Sequence, residues 1–309
     1  MEKKNAARFF GGMIGKVYRN KRGQTRAIVV LAVALMVLAV CVPLAEWLYW
    51  SGFNALTRLW GVTERNIARA PWPIRQFARY SGVLLTLIQG GLLLALSRRL
   101  SKSKILGMKE TPDRFTPGHC LRGFLTGAGS LLILWLALLA LDNLRLGHSL
   151  LRPAWSANTL ILPLTSALWA AATLTWGVSI IYRFLSSRLP WILAAAISTV
   201  LMMPLMLHSS QIDALLIVNL LLCGTLCCVS ARENGGWDWG AGFLFAVWLL
   251  ERAVLGFPGY SAALYETYPV NFYWLNGGER GLWHGAAMTL LLLVNGLILL
   301  RPLHGKSAS

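Results

Sequence analysis

Side chains able to do acid–base chemistry are few and scattered in this sequence. Of 309 residues, 12 are Asp or Glu and 5 are His. His208 stands alone at the end of the apolar run Met202–Leu207, Glu251-Arg252 closes another run, and Glu46 and His284 flank two more. A carboxylate and a histidine brought together can take a proton from water or shuttle one. Held apart, each has a plainer role. His208 is then an interfacial residue satisfied by a backbone carbonyl or by Ser209, and Glu251-Arg252 is an ion pair at the mouth of a span. Ionisable groups in a membrane span are costly and mark candidate functional positions, so His208, Glu251 and Arg252 are taken as pocket candidates.

The cysteines point away from metal chemistry. Cys41, Cys120, Cys223, Cys227 and Cys228 are the five present, mostly within or beside apolar runs. Cys223 and Cys227 are one helical turn apart, but no His or acid follows at matching spacing. They are expected to be small buried apolar residues, not a disulfide framework or a metal site. No cofactor is expected.

The elements that must carry these residues are membrane spans. The chain is 56% apolar and 13% charged, where soluble domains carry roughly 25% charged residues. Repeated apolar stretches of span length exceed what one aqueous core can bury. The formal charge of +17 arises from scarce acids, and the bases gather between spans. They fix topology and meet anionic headgroups there, so membrane lipids are expected partners and nucleic acid is not. The composition predicts an all-α, polytopic bundle of about eight spans. These are Ala27–Trp50, Tyr80–Leu96, Leu121–Leu141, Leu160–Phe184, Trp191–Leu207, a sixth ending at Val229, Trp237–Val254 and Leu282–Leu300. Residues 1–26 form a basic tail, 27–79 the first span with an Arg- and Trp-rich interfacial segment, 80–303 the core, and 304–309 a second tail. Most bases then fall on one side, which places both termini in the cytoplasm, as in a bacterial inner-membrane protein. The N-terminal apolar run is too long for a signal peptide and is expected to be retained.

A loop at 256–281 is dense in aromatic residues: Tyr260, Tyr265, Tyr268, Phe272, Tyr273 and Trp274. It is expected to be ordered, as a lid, a partner-binding surface or an interfacial belt. Asn219 and Asn295 are intramembrane amides expected to tie helices together.

Three ordered features resemble the CPBP family of intramembrane glutamic endopeptidases, which includes the type II CAAX prenyl proteases and bacteriocin-processing and immunity proteins. Lys104-Ile105-Leu106-Gly107-Met108 before the third span is similar to the basic linker ahead of the family core. Ala171 to His208, with its turn Arg188-Leu189-Pro190-Trp191, resembles the family's core hairpin. Asn219 to Cys228 with Gly224, then Gly236-Trp237-Asp238-Trp239 and Trp248, resembles the last two core helices. The aromatic loop followed by Asn276-Gly277-Gly278-Glu279 is also like bacterial members. The resemblance implies a CAAX-protease-like core over roughly residues 80–300.

It also implies a water-activating glutamate pair, and this chain departs there. Counted back from Pro190 without gaps, the pair falls on Ala172 and Thr173, the family's Phe on Trp176 and its Arg on Gly177. With Tyr182-Arg183 taken as the Phe-Arg pair, the glutamates fall on Val178 and Ser179. No Asp or Glu occurs from Asn143 to Ile212, so neither register supplies an acid. The Phe-x-x-x-His motif keeps His208 but has Pro204, and His-x-x-x-Asn becomes Phe245 and Leu249. Trp176, Tyr182, Arg183 and His208 are thus remnant-pocket candidates, and no catalytic residue is assigned. The expectation is a non-catalytic membrane protein that binds or stabilises a membrane or membrane-tethered protein partner, as a complex subunit, chaperone or immunity-like factor. The alternatives are a peptidase with a relocated site using Glu251 or Glu46 with His208 or His284, and a transporter component, for which mid-membrane polar groups are scarce.

Overall fold

The chain folds as a bundle of long apolar helices with one small sheet at an end. The computed structural model describes residues 27–61, 71, 74, 81–102, 115–147, 157–207, 212–234, 236–257, 264–265 and 267–305. Helix α1 is Ala27–Leu59, α2 Ser81–Lys102 and α3 Pro117–Ala140. Helix α4, Ala157–Leu174, widens into a π-helical stretch, Thr175–Tyr182, and finishes with the α turn Arg183–Ser186. Helices α5, Trp191–Met206, and α6, Ala214–Asn234, follow. Helix α7, Asp238–Leu249, also ends in π winding, Leu250–Val254. After the short α8, Tyr273–Asn276, and two 3₁₀ turns, α9 runs Ala286–Gly305.

Helices stand at each expected span. Among the described residues, four apolar segments are long enough to cross a bilayer: Leu35–Leu59, Pro117–Ala140, Pro163–Ser186 and Ala214–Asn234. Trp191–Met206 and Ala286–Leu300 are apolar but shorter. Their outward surfaces carry what a bilayer takes: Leu125, Ile133 and Leu136 on α3, Leu290, Leu297 and Ile298 on α9. In water such continuous apolar faces would be sites of association.

Several boundaries differ from expectation; α2 runs on to Lys102 and α6 to Asn234. Helix α1 continues past Trp50 to Leu59, because Tyr49 and Phe53 stack with their ring planes 7° apart and bury that face. The last helix starts at Ala286, not Leu282, since Leu282–His284 forms a tight 3₁₀ turn anchored by the side chain of His284. The all-α expectation also omits one pairing: β1, Leu144–Leu146, runs antiparallel to β2, Thr267–Pro269.

The closest crossing is α3 on α7. A Cβ on Gly123 would sit 1.9 Å from the Trp239 carbonyl oxygen, and one on Gly242 would sit 1.9 Å from that of Cys120. Backbones therefore touch, as small residues permit between membrane helices. The entry to α3 is fixed by the same pair: the Thr116 amide donates to Asp238 Oδ2 at 2.8 Å. Helix α5 packs between α4 and α6, with Trp169 Nε1 donating to the Leu205 carbonyl at 2.7 Å. The bundle thus has a hairpin end, holding the α4–α5 and α6–α7 turns, and a sheet end, holding β1 and β2.

Candidate functional site

The middle of α4 is filled. Ala172, Thr173, Trp176 and Val178 are buried. Gly177 lies so close to α5 that a Cβ there would come within 1.9 Å of both Cγ and Sδ of Met202. A side chain as long as arginine has no room at that position. The π winding of Thr175–Tyr182 rotates the following residues relative to a regular helix, but no acid follows to exploit it. Trp176 is a buried core side chain; its Nε1 has no hydrogen-bond partner among the described residues. On α7, the ring of Phe245 packs toward α3, its centroid 5.6 Å from that of Phe124. His208 lies outside the described residues, as does Tyr260 of the aromatic loop.

Tyr182 and Arg183 do meet a cavity. At the hairpin end a cleft of about 330 Å³ is lined by Ser179, Tyr182 and Arg183 of α4, Trp191 of α5, Arg232 of α6 and Trp237 ahead of α7. The Arg232 guanidinium stands 4.5 Å from the centroid of the Trp191 indole, a cation–π contact that holds the charge across the cleft. Arg232 is absent from the sequence-derived site; its place in a short turn between spans was its only signal.

The sheet end holds the polar network. Glu251 is 0% exposed; its Oε2 accepts from Trp283 Nε1 at 2.8 Å, while Oε1 has no hydrogen-bond partner among the described residues. Of the two readings left open for Glu251, an ion pair at the mouth of a span and a group inside the bundle, its burial under the turn that carries Trp283 favours the second. Arg252 follows it and is half-buried. Asn219 Nδ2 donates to the carbonyls of Trp283 at 2.8 Å and Gly285 at 3.1 Å, and its Oδ1 accepts from Thr289 at 2.7 Å. Asn219 is interhelical glue, as expected. Asn295 is not: its Nδ2 donates to the Leu291 carbonyl of its own helix at 2.8 Å. Beside this network Asp213 caps α6 by accepting from the Leu216 amide at 2.8 Å, which satisfies an orphan donor of the first turn. Its other oxygen lies 2.6 Å from His284 Nδ1 and 3.4 Å from Arg280. Burial alone would raise the Asp213 carboxyl, but the Leu216 amide, His284 and Arg280 outweigh it and hold the group below its ordinary value.

The aromatic loop is ordered where it is described. Asn276 is its keystone: Nδ2 donates to the carbonyls of Asn143 at 2.9 Å and Asn271 at 3.0 Å, and Oδ1 accepts from the Gly278 amide at 2.8 Å. Thr267 donates to the Gly256 carbonyl at 2.8 Å, and Val270 N–H to that of Asn143 at 3.0 Å. On this frame Tyr268, Phe272, Tyr273 and Trp274 are 53–62% exposed. Tyr265 is half-buried, its amide donating to the Val254 carbonyl at 2.9 Å.

Comparison with family models, curated proteins and solved structures returns no match for this chain. What the fold and its surfaces define is a multi-span, largely helical membrane protein. No group of three or more His, Cys, Asp or Glu able to hold a metal ion occurs among the described residues.

Proposed function

We propose that this chain is a non-catalytic member of the CPBP-like membrane proteins that binds a membrane or membrane-tethered protein partner at its sheet end. The observation that carries the proposal is the ledge of Tyr268, Phe272, Tyr273 and Trp274, held outward on a hydrogen-bonded frame. Aromatic side chains on a rigid support bind partners with little ordering cost and dominate interface energies. The packed middle of α4, with Met202 against Gly177, supports the absence of water activation at the position the resemblance implies. In this proposal the bundle has eight spans in a bacterial inner membrane. Both termini are cytoplasmic, the hairpin end faces in and the ledge faces out. A chaperone, complex subunit or immunity-like factor each fits such a surface.

One observation favours a second reading, a peptidase with a relocated site: the buried Oε1 of Glu251 has no hydrogen-bond partner among the described residues. The two readings separate in one experiment. A photoreactive amino acid at Phe272 or Trp274 in intact cells is expected to give a discrete protein adduct. The same partner should co-purify in mild detergent and be lost on Phe272→Ala with Trp274→Ala. Cleavage of a membrane-tethered peptide by the purified chain, abolished by Glu251→Gln, would establish the second reading instead.

A further inference from the structure

The cleft at the hairpin end is unused by the partner-binding ledge, and its chemistry is different. Two guanidinium groups, Arg183 and Arg232, reach it from the last turns of two separate helices. Two indoles, Trp191 and Trp237, form its walls, and Ser179 and Tyr182 lie deeper along α4. Toward the bundle interior the lining turns apolar at Val178 and Ala231. Val178 lies five positions before Arg183 on the same winding helix. The cleft therefore has a cationic mouth and an apolar floor within one small-molecule volume.

Two described carboxylates, Asp238 and Glu233, neighbour the lining residues Trp237 and Arg232 in the chain. Asp238 is turned toward the amide of Thr116 at 2.8 Å, and Glu233 is exposed on the last turn of α6. The N-terminal end of α5 begins at Trp191 in the cleft wall, and its helix dipole adds positive potential. Arg232 is positioned by the Trp191 ring at 4.5 Å, so its charge is held at the cleft without a carboxylate partner in that contact. Paired arginines match the oxygens of a phosphate, and basic pockets between membrane helices on the cytoplasmic side take anionic headgroups.

We infer that this cleft binds a phosphate ester, with the headgroup of an anionic phospholipid as its source. The phosphate lies between Arg183 and Arg232, and the glycerol and first acyl carbons lie against Trp191, Trp237 and the apolar floor. Only the side of the membrane rests on the topology proposed above; the chemistry of the cleft is independent of the ledge and of any protein partner.

Native mass spectrometry of the full-length chain, delipidated in detergent and titrated with phosphatidylglycerol, phosphatidylcholine or inorganic phosphate, tests this. Phosphatidylglycerol is expected to fill one site about tenfold more tightly than phosphatidylcholine. The double substitution Arg183→Gln with Arg232→Gln is expected to remove that preference, while Arg98→Gln at the end of α2 leaves it intact. Displacement of phosphatidylglycerol by inorganic phosphate at equal concentration would keep the phosphate site and reassign its source to a soluble ester. Equal binding of both lipids by the unaltered chain overturns the inference, and that result needs no variant to fold. A preference that survives the double substitution in a folded protein also overturns it. A protein partner lost without any change in lipid preference would count against the ledge alone.

Discussion

Glu251 shows how one side chain can be placed by a single neighbour. Its carboxyl is wholly buried and receives a hydrogen bond from Trp283, whose backbone carbonyl in turn accepts from Asn219. Replacing Trp283 by Phe keeps the bulk and deletes the donor, leaving a second unsatisfied oxygen in the core. Loss of such a bond to a buried acceptor costs about 1–3 kcal/mol. A lower midpoint for thiol-dye labelling of the buried Cys223, Cys227 and Cys228 is the expected result. Glu251→Gln keeps an acceptor for Trp283 and is expected to move that midpoint less. Asp213 gives a pH signature at the same scale. Its folded-state value is depressed, so its stabilisation is complete above the unfolded value of 3.8. That contribution disappears as pH falls below 3.8 through the folded value. Asp213→Asn is therefore expected to lower the unfolding midpoint at pH 6 and to matter progressively less in strong acid.

At the scale of elements, the crossing of α3 on α7 is the tightest constraint. Gly123→Val places atoms where the Trp239 carbonyl oxygen already stands, 1.9 Å from an ideal Cβ. Overpacking of this kind costs about 1–3 kcal/mol or more, and Gly129→Ala, where a Cβ meets nothing within 4 Å, is the matched control. The apolar runs made the helices legible in the sequence, because long stretches without charge have few other solutions. The sheet was not legible. Leu144-Arg145-Leu146 and Thr267-Tyr268-Pro269 are too short to show a period, and they are remote from each other in sequence. The cleft was legible only in part. Tyr182 and Arg183 were marked as an aromatic–Arg pair like the Phe-Arg of the CPBP resemblance, whereas Arg232 becomes a neighbour only because α6 ends beside α5. Burial of Glu251 was hidden for a similar reason: Trp283, which covers it, is remote in sequence and adopts a turn where a continuous span was expected.

The described residues separate into a densely packed middle and two differentiated ends. Of the positions where the CPBP resemblance implies a water-activating centre, Ala172, Thr173 and Val178 are buried, Ser179 lines the hairpin-end cleft, and the nearby Gly177 is pressed against Met202. Polar groups gather at the sheet end, around Asp213, Glu251 and Asn276, where they brace the loop that presents the aromatic ledge. Removing that brace tests whether rigidity matters: Asn276→Ala deletes three hydrogen bonds and is expected to weaken partner capture while the helical content stays unchanged by circular dichroism. The most direct measurement is in-cell photocrosslinking from Phe272 and Trp274, followed by purification of the adduct. A single stoichiometric protein adduct, lost together with its co-purification when both aromatic residues are replaced by Ala, is the predicted result. Adducts to lipid alone from both positions, with peptide cleavage that depends on Glu251, would contradict the account and identify the chain as an enzyme.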